Sequence, residues 1–324
     1  MIQSNQTREP LVDNLKAIAI FFVVLGHLLE CFSFSSKHVI YSLIYVFHMP
    51  LFVFISGYLC KFGFKKTLTK LVLPLVLFQV IYSCFDALLN NRGISISLVQ
   101  PYWHLWYLFS LICWKVLFLP LSKIKKTWLK IVVIVLCFIL SLSLGFYPNL
   151  TRKFSAGRTI FFFPFFVLGY FIKSPNTDLS TLRKNKAFLV INSILCLVGI
   201  ICICTFDFLP TELLYSASSY RFVNANLWKV FLYRFILYIL SLVFVFEFVL
   251  LTAKVKVPIF KQVSISSLYI YLFHGFIILL FKRFNILPNG YMGLAYSIII
   301  AYIFVVFVSV IYSLVNRLIN KIKA

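Results

Sequence analysis

Apolar residues along this chain come in long unbroken runs, not in the alternation of strands or the stripes of surface helices. Ten runs are long enough, or nearly so, to cross about 30 Å of hydrocarbon as helices. They span roughly 14–34, 39–60, 68–90, 102–121, 128–147, 159–173, 187–206, 228–251, 264–281 and 291–316, the sixth being the shortest. A transmembrane β-barrel would need short alternating segments instead. The pattern predicts an all-α polytopic membrane protein of about ten transmembrane helices, a single transmembrane domain over 1–324. The longest polar stretch, about 207–227, reads as a loop.

Composition agrees. Hydrophobic residues make up 62% and charged residues 12%, against about 45–50% and about 25% in soluble domains. A water-soluble globular protein, a disordered chain, collagen and a coiled coil are excluded together. Charge adds orientation. The net +23 comes from 31 Lys+Arg over 8 Asp+Glu. With the amino terminus in the cytoplasm, inner loops hold roughly twice as many basic residues as outer ones, which favours both termini inside. Omitting the sixth span would break that alternation. The same basic rims suit anionic lipid headgroups or an anionic cytosolic ligand. Because the charges lie between apolar runs, no nucleic-acid partner is implied.

The eight cysteines fall almost entirely inside apolar runs and read as small buried hydrophobes with no disulfide framework. Cys202 and Cys204 would point to different helix faces with no histidine nearby, so no metal is expected. The first run has no small-residue cleavage site after it and reads as a retained helix. No Walker A sequence, dinucleotide glycine loop or HExxH motif is present, which removes support for ATP hydrolysis and zinc proteolysis.

Ionisable groups inside a span are costly, so each asks for a reason. His27 lies eleven residues beyond Lys16, about 16 Å along a helix and near the midplane of the predicted first span. Glu30, three positions on, shares its face. A carboxylate beside an imidazole orients it and stabilises its protonated form, as a general base requires; a structural His–Glu hydrogen bond is the bland alternative. His274 sits mid-span in the ninth run, where an interhelical hydrogen bond would also explain it. His48 and His104 lie among aromatics near the outer ends of their spans, as in an interface belt. Asp86 suits helix packing, and Glu247 lies near an inner end where snorkelling is cheap. Arg158, Arg221 and Arg234 are basic on the disfavoured side. For Arg158 the choice is a headgroup salt bridge or an anionic or sugar ligand from outside. Gly57 and Gly169 permit close helix approach, and Pro50, Pro74 and Pro164 mark kinks or span edges.

Several of these segments occur together in one known family. The run from Arg8 and Asp13-Asn14-Leu15-Lys16 to Leu25-Gly26-His27 resembles the opening of the membrane acyltransferase-3 family. Phe47-His48-Met49-Pro50 through Ser56-Gly57-Tyr58 is similar to its second span. His104-Leu105-Trp106-Tyr107, Phe163-Pro164 through Leu168-Gly169-Tyr170, and Ser267 through Phe273-His274 follow in family order. Fucose 4-O-acetylase-like enzymes are the subgroup most resembled. The resemblance implies a ten-helix protein of the bacterial cytoplasmic membrane. It would move an acyl group, commonly acetyl, from cytosolic acyl-CoA to a hydroxyl of a cell-surface or lipid-linked sugar. It matches His27 to the family's essential histidine, and Asp13 and Lys16 to an acidic–basic pair. Where many members carry two arginines, this chain has Lys65, Lys66 and Lys70, which attract phosphate without a bidentate fork.

The expected mechanism uses His27 as base, oriented by Glu30 or by an acid from another helix. CoA phosphates would rest on Lys65, Lys66 and Lys70, and the acceptor would come past Trp103, Trp106 and Arg158. His48 and His274 join Asp13 and Lys16 as binding candidates. Direct transfer and an acyl-enzyme, with Ser56 as nucleophile, are both open. Competing readings are an exporter or flippase for polysaccharide or lipid-linked sugar, and a scaffold subunit of an envelope-assembly complex.

Overall fold

A computed structural model describes residues 9–97, 100–148, 153–173, 179–206, 208–252 and 257–323. Arg8, named in the resemblance, and the loop bases Arg152, Lys254 and Lys256 lie outside them. Among the described residues eleven helices form. Pro10, whose fixed φ and missing N–H suit a first turn, opens α1 (Pro10–Leu28), which tightens into a 3-10 turn at Leu29–Cys31. Then come α2 (Lys37–Tyr58), α3 (Phe64–Asn90), α4 (Trp106–Phe118), α5 (Thr127–Leu144) and α6 (Ala156–Ile172). The chain continues as α7 (Lys186–Phe206), a short α8 (Thr211–Tyr215), α9 (Leu227–Thr252), α10 (Pro258–Phe284) and α11 (Tyr291–Lys323). No strand occurs among the described residues. Eight of the helices are long and apolar enough to cross a membrane, and α4 and α6 are the shorter apolar ones. All ten predicted segments are therefore helical, the sixth included. In α3 a π turn at Leu68–Val72 precedes Pro74. Proline offers no N–H to the carbonyl four residues back, and a widened turn accommodates that break.

Two helices form the centre. The most apolar stretches of α1 and α2 are 72% and 78% buried, against 11% for α5 and 17% for α11. Helix α1 packs on α2, α10 and α11, and α2 packs on α6 and α9. The peripheral helices turn aliphatic stripes outward, such as Ile131, Val135 and Ile139 on α5 and Ile191, Leu195 and Val198 on α7. In water such faces would aggregate; in hydrocarbon they are matched to lipid. Because lipid tails are as apolar as leucine, close packing rather than exclusion from water joins these helices. The α2–α6 crossing shows how. A Cβ on Gly57 would run into the Phe166 carbonyl, and one on Gly169 into the Phe54 carbonyl.

Three expectations are corrected. The 207–227 stretch is not an open loop: it holds α8 and a 3-10 turn at Tyr220–Phe222. Leu209, Leu213, Leu214 and Tyr220 are buried there, and the Tyr220 hydroxyl donates to the Leu142 carbonyl at 3.0 Å. These apolar side chains draw the segment into the bundle. Glu247 does not snorkel. It is buried and accepts from Asn192 at 2.8 Å and Ser193 at 2.9 Å, tying α9 to α7. Finally, α1 begins at Pro10, earlier than the hydropathy run, and ends at Leu28. His27 thus sits in its last turn, beyond the helix midpoint and not at it.

Candidate active site

His27 and Glu30 meet as their spacing predicts. The 3-10 turn after α1 carries Glu30 back along the helix, and His27 Nδ1 lies 3.2 Å from Glu30 Oε1. An ionised carboxylate only accepts, so the imidazole donates from Nδ1 and keeps the Nε2 lone pair for other work. Tyr45 of α2 donates its hydroxyl to the same Oε1 at 2.9 Å. Lys282 of α10 donates to Oε2 at 2.8 Å. Glu30 is therefore the node at which three helices are tied: α1 brings the base, α2 a phenol and α10 a cation. The side chains of His27 and Glu30 are 14% and 12% exposed, and that of Lys282 is 39% exposed. The pair is sheltered but not sealed.

Aromatic and imidazole rings wall the pair. Trp103 stands edge-on to the His27 ring at 4.7 Å, and the Lys282 ammonium lies 5.1 Å from the indole centroid. Trp103 has a φ of 21°, a conformation that L residues adopt only when their surroundings enforce it. His274 faces His27 at 5.4 Å. Its Nδ1 donates to the Tyr271 carbonyl at 2.6 Å, so its Nε2 is an acceptor, buried and without a protein partner. His104 lies 4.8 Å beyond His274, fully buried, with neither ring nitrogen hydrogen-bonded. Gly275 makes the room, since a Cβ there would strike the His104 ring. His48, mid-way along α2, is also buried; it donates Nδ1–H to the Ile44 carbonyl at 2.9 Å and meets the Tyr45 ring edge-on. The interface-belt reading of His48 and His104 is thus replaced by burial at the helix junction. The single interhelical hydrogen bond expected for His274 is replaced by one to its own helix.

The other candidates divide by distance along the bundle. Arg158 joins the site's margin: its guanidinium lies 5.0 Å from the Trp106 ring, and its Nε donates to the Tyr215 carbonyl at 3.2 Å. Tyr215, in α8, meets the rings of Tyr41 and Tyr45. Burial first, and the neighbouring Glu30 carboxylate second, push its phenol up to about 12, so it remains a hydrogen-bond donor at neutral pH. Lys65, Lys66 and Lys70 are exposed around the start of α3, just past the end of α2. That end also holds Glu9, to whose carboxylate Tyr58 donates at 2.7 Å, and it is the end at which α1 begins. The structure therefore does not bring these lysines to His27; a helix length of about 25 Å separates them. Asp13 is buried in the first turn of α1, at the lysine end, and Lys16 is half-buried about one turn on. Ser56 is engaged elsewhere, with the Phe52 carbonyl at 2.8 Å and the Tyr107 hydroxyl at 2.5 Å. Asp86 accepts from Asn90 on its own helix at 2.8 Å. No cluster of metal-ligand side chains occurs among the described residues, and all eight cysteines are free thiols.

Sequence alone gives Tyr45 and Lys282 no functional role, and it leaves His104 open between an interface belt and the site. Lys282 carried one usable signal. It lies eight residues past His274 on one helix, close enough to two turns to share its face.

Comparison with known proteins matches residues 10–315 to the acyltransferase-3 family, described as an acyltransferase domain. The chain is 25% identical over 224 residues to nodulation protein NolL of Sinorhizobium fredii, an alignment covering 62% of this chain and 57% of that protein. The match thus spans little more than half of that relative's length. No solved structure matches the chain significantly. With the family profile covering nearly every residue and the bundle built of apolar helices, the chain is a polytopic membrane protein that belongs to the acyltransferase-3 family.

Proposed function

We propose that this protein is an acyltransferase that moves an acetyl or similar acyl group from acyl-CoA to a hydroxyl of a cell-surface or lipid-linked sugar. One observation carries the reading: His27 donates Nδ1–H to Glu30, which leaves Nε2 as the base in a sheltered position that is not sealed off. In the proposed reaction Nε2 takes the proton of the sugar hydroxyl as that oxygen attacks the thioester carbonyl. Glu30, held by Lys282 and Tyr45, stabilises the imidazolium that forms. The C–S bond then breaks, and the imidazolium returns its proton to the departing thiolate. The acceptor approaches past Trp103, Trp106 and Arg158, where ring faces suit the apolar faces of a sugar. The donor comes from the end of the bundle where Lys65, Lys66 and Lys70 attract phosphate. With both termini in the cytoplasm, as the basic loops favour, that end is the cytosolic one of a bacterial inner membrane.

The test uses purified protein in bilayers, with acetyl-CoA on one side and simple sugars on the other. Release of free CoA that requires a sugar, with acetylated sugar as product, supports the reading. Sugar translocation without thioester consumption would replace it with a transporter.

A further inference from the structure

Arg234 is buried in a way the acyl-transfer site does not use. It lies two turns into α9 and is 1% exposed. Its Nη1 donates to Ser216 Oγ at 2.7 Å, and the guanidinium lies 4.2 Å from the centroid of the Phe161 ring. Among the described residues, Nε and Nη2 have no hydrogen-bond partner and no carboxylate pairs with this cation. A desolvated charge without a counter-charge is strongly unfavourable, and guanidinium edges are shaped for two-oxygen anions. Ser219, three residues beyond Ser216, adds a buried hydroxyl that is also unpartnered. Two guanidinium nitrogens, and a hydroxyl three residues along the segment that touches them, are thus buried without acceptors.

The position relates this cluster to the acyl-transfer site. Ser241 of α9 donates to the Val46 carbonyl of α2 at 2.7 Å. Arg234 lies about two turns from that contact, toward the end where α2 carries Tyr45 and Glu30 binds. Ser216 follows Tyr215 directly, and Tyr215 meets the Tyr45 ring while its carbonyl receives Arg158. A short path of contacts therefore runs from Glu30 through Tyr45 and Tyr215 to Ser216 and Arg234.

We infer that Arg234, with Ser219, forms a binding site for an anionic group of the acyl acceptor, a carboxylate or phosphate carried by the sugar. This deepens the proposed function and rests on it. A planar uronate and a phosphate linking sugar to a carrier share the needed chemistry: two or more oxygens that accept from Nε and Nη2 while Ser219 donates a third bond.

Thermal unfolding of the purified full-length protein tests it, with glucuronate, inorganic phosphate, glucose and CoA as probes at matched ionic strength. Expected is an upward shift with glucuronate or phosphate and none with glucose. A glucuronate response identifies a carboxylated sugar and a phosphate response a phosphorylated one. Arg234→Gln should remove that shift and keep the one given by CoA. Should that variant fail to fold, Ser219→Ala decides; it should weaken the anion response about tenfold. The inference is overturned if neither anion acts on the wild type, if glucose acts equally, if the anion shift survives Arg234→Gln, or if Ser219→Ala leaves it undiminished. Acyl transfer to neutral sugars without any anion response removes this site and spares the proposed function. An Arg234-dependent anion response without transfer to any sugar does the reverse.

Discussion

Replacing Glu30 by Gln probes the chemistry with little change in shape. Glu30 accepts from His27 at 3.2 Å, from Tyr45 at 2.9 Å and from Lys282 at 2.8 Å. A glutamine has one oxygen to serve them. If that oxygen faces Lys282, the more demanding donor, the amide NH2 faces His27. The imidazole must then accept at Nδ1 and carry its proton on Nε2, the wrong tautomer for a base. If the oxygen faces His27 instead, the NH2 meets the Lys282 ammonium and the imidazolium loses its counter-charge. A hydrogen bond to a charged group contributes about 1.5–3 kcal/mol, which is about 10- to 150-fold in rate. The wrong tautomer would extend the loss toward 10⁴-fold. The assay is the initial rate of CoA release with saturating sugar. The fall is expected in kcat, with the KM for acetyl-CoA little changed because Glu30 lies far from the phosphate end. Glu30→Asp, which retains the charge, should be intermediate. An E30Q rate within twofold of wild type would refute the reasoning.

Lys282→Met removes a hydrogen bond to Glu30 and the cation beside Trp103, yet Lys282 is 39% exposed; kcat should drop about 3- to 30-fold, measured in the same assay. Replacing Lys65, Lys66 and Lys70 together by Ala should raise the KM for acyl-CoA up to about tenfold without lowering kcat, and the difference should shrink in high salt. Gly57→Ala and Gly169→Ala each drive a methyl into a backbone carbonyl across the α2–α6 crossing, so each should destabilise by about 1–3 kcal/mol in detergent unfolding. Made together they should be non-additive, since one crossing absorbs both.

The ten helices and the His27–Glu30 contact were legible because each rests on a local rule: run length for a span, and three-residue spacing for a shared face. What the chain order hides is which helices meet. Lys282 reads as an interfacial base at the end of α10 until α1 and α10 pack together and bring it to Glu30. Likewise His104 and His274, 170 positions apart in chain numbering, become neighbours only through Gly275. The buried α8 segment was concealed by its polar and small residues, which outweigh Leu209, Leu213 and Leu214 in a hydropathy window. Arg234 stood out as a base on the disfavoured side, but only burial without a carboxylate gives it meaning. That His27 falls in the last turn of α1 is hidden by starting the helix at the hydropathy run, whereas it extends back through polar Asp13 and Asn14 to Pro10.

The central claim is that a single imidazole, His27, accepts the sugar's proton. It is tested most directly by the His27→Ala protein, inserted and unfolding like wild type, assayed for acetylated sugar by mass spectrometry. The account predicts acetylated product at the level of protein-free bilayers. Product formed at the wild-type rate by that variant would contradict it.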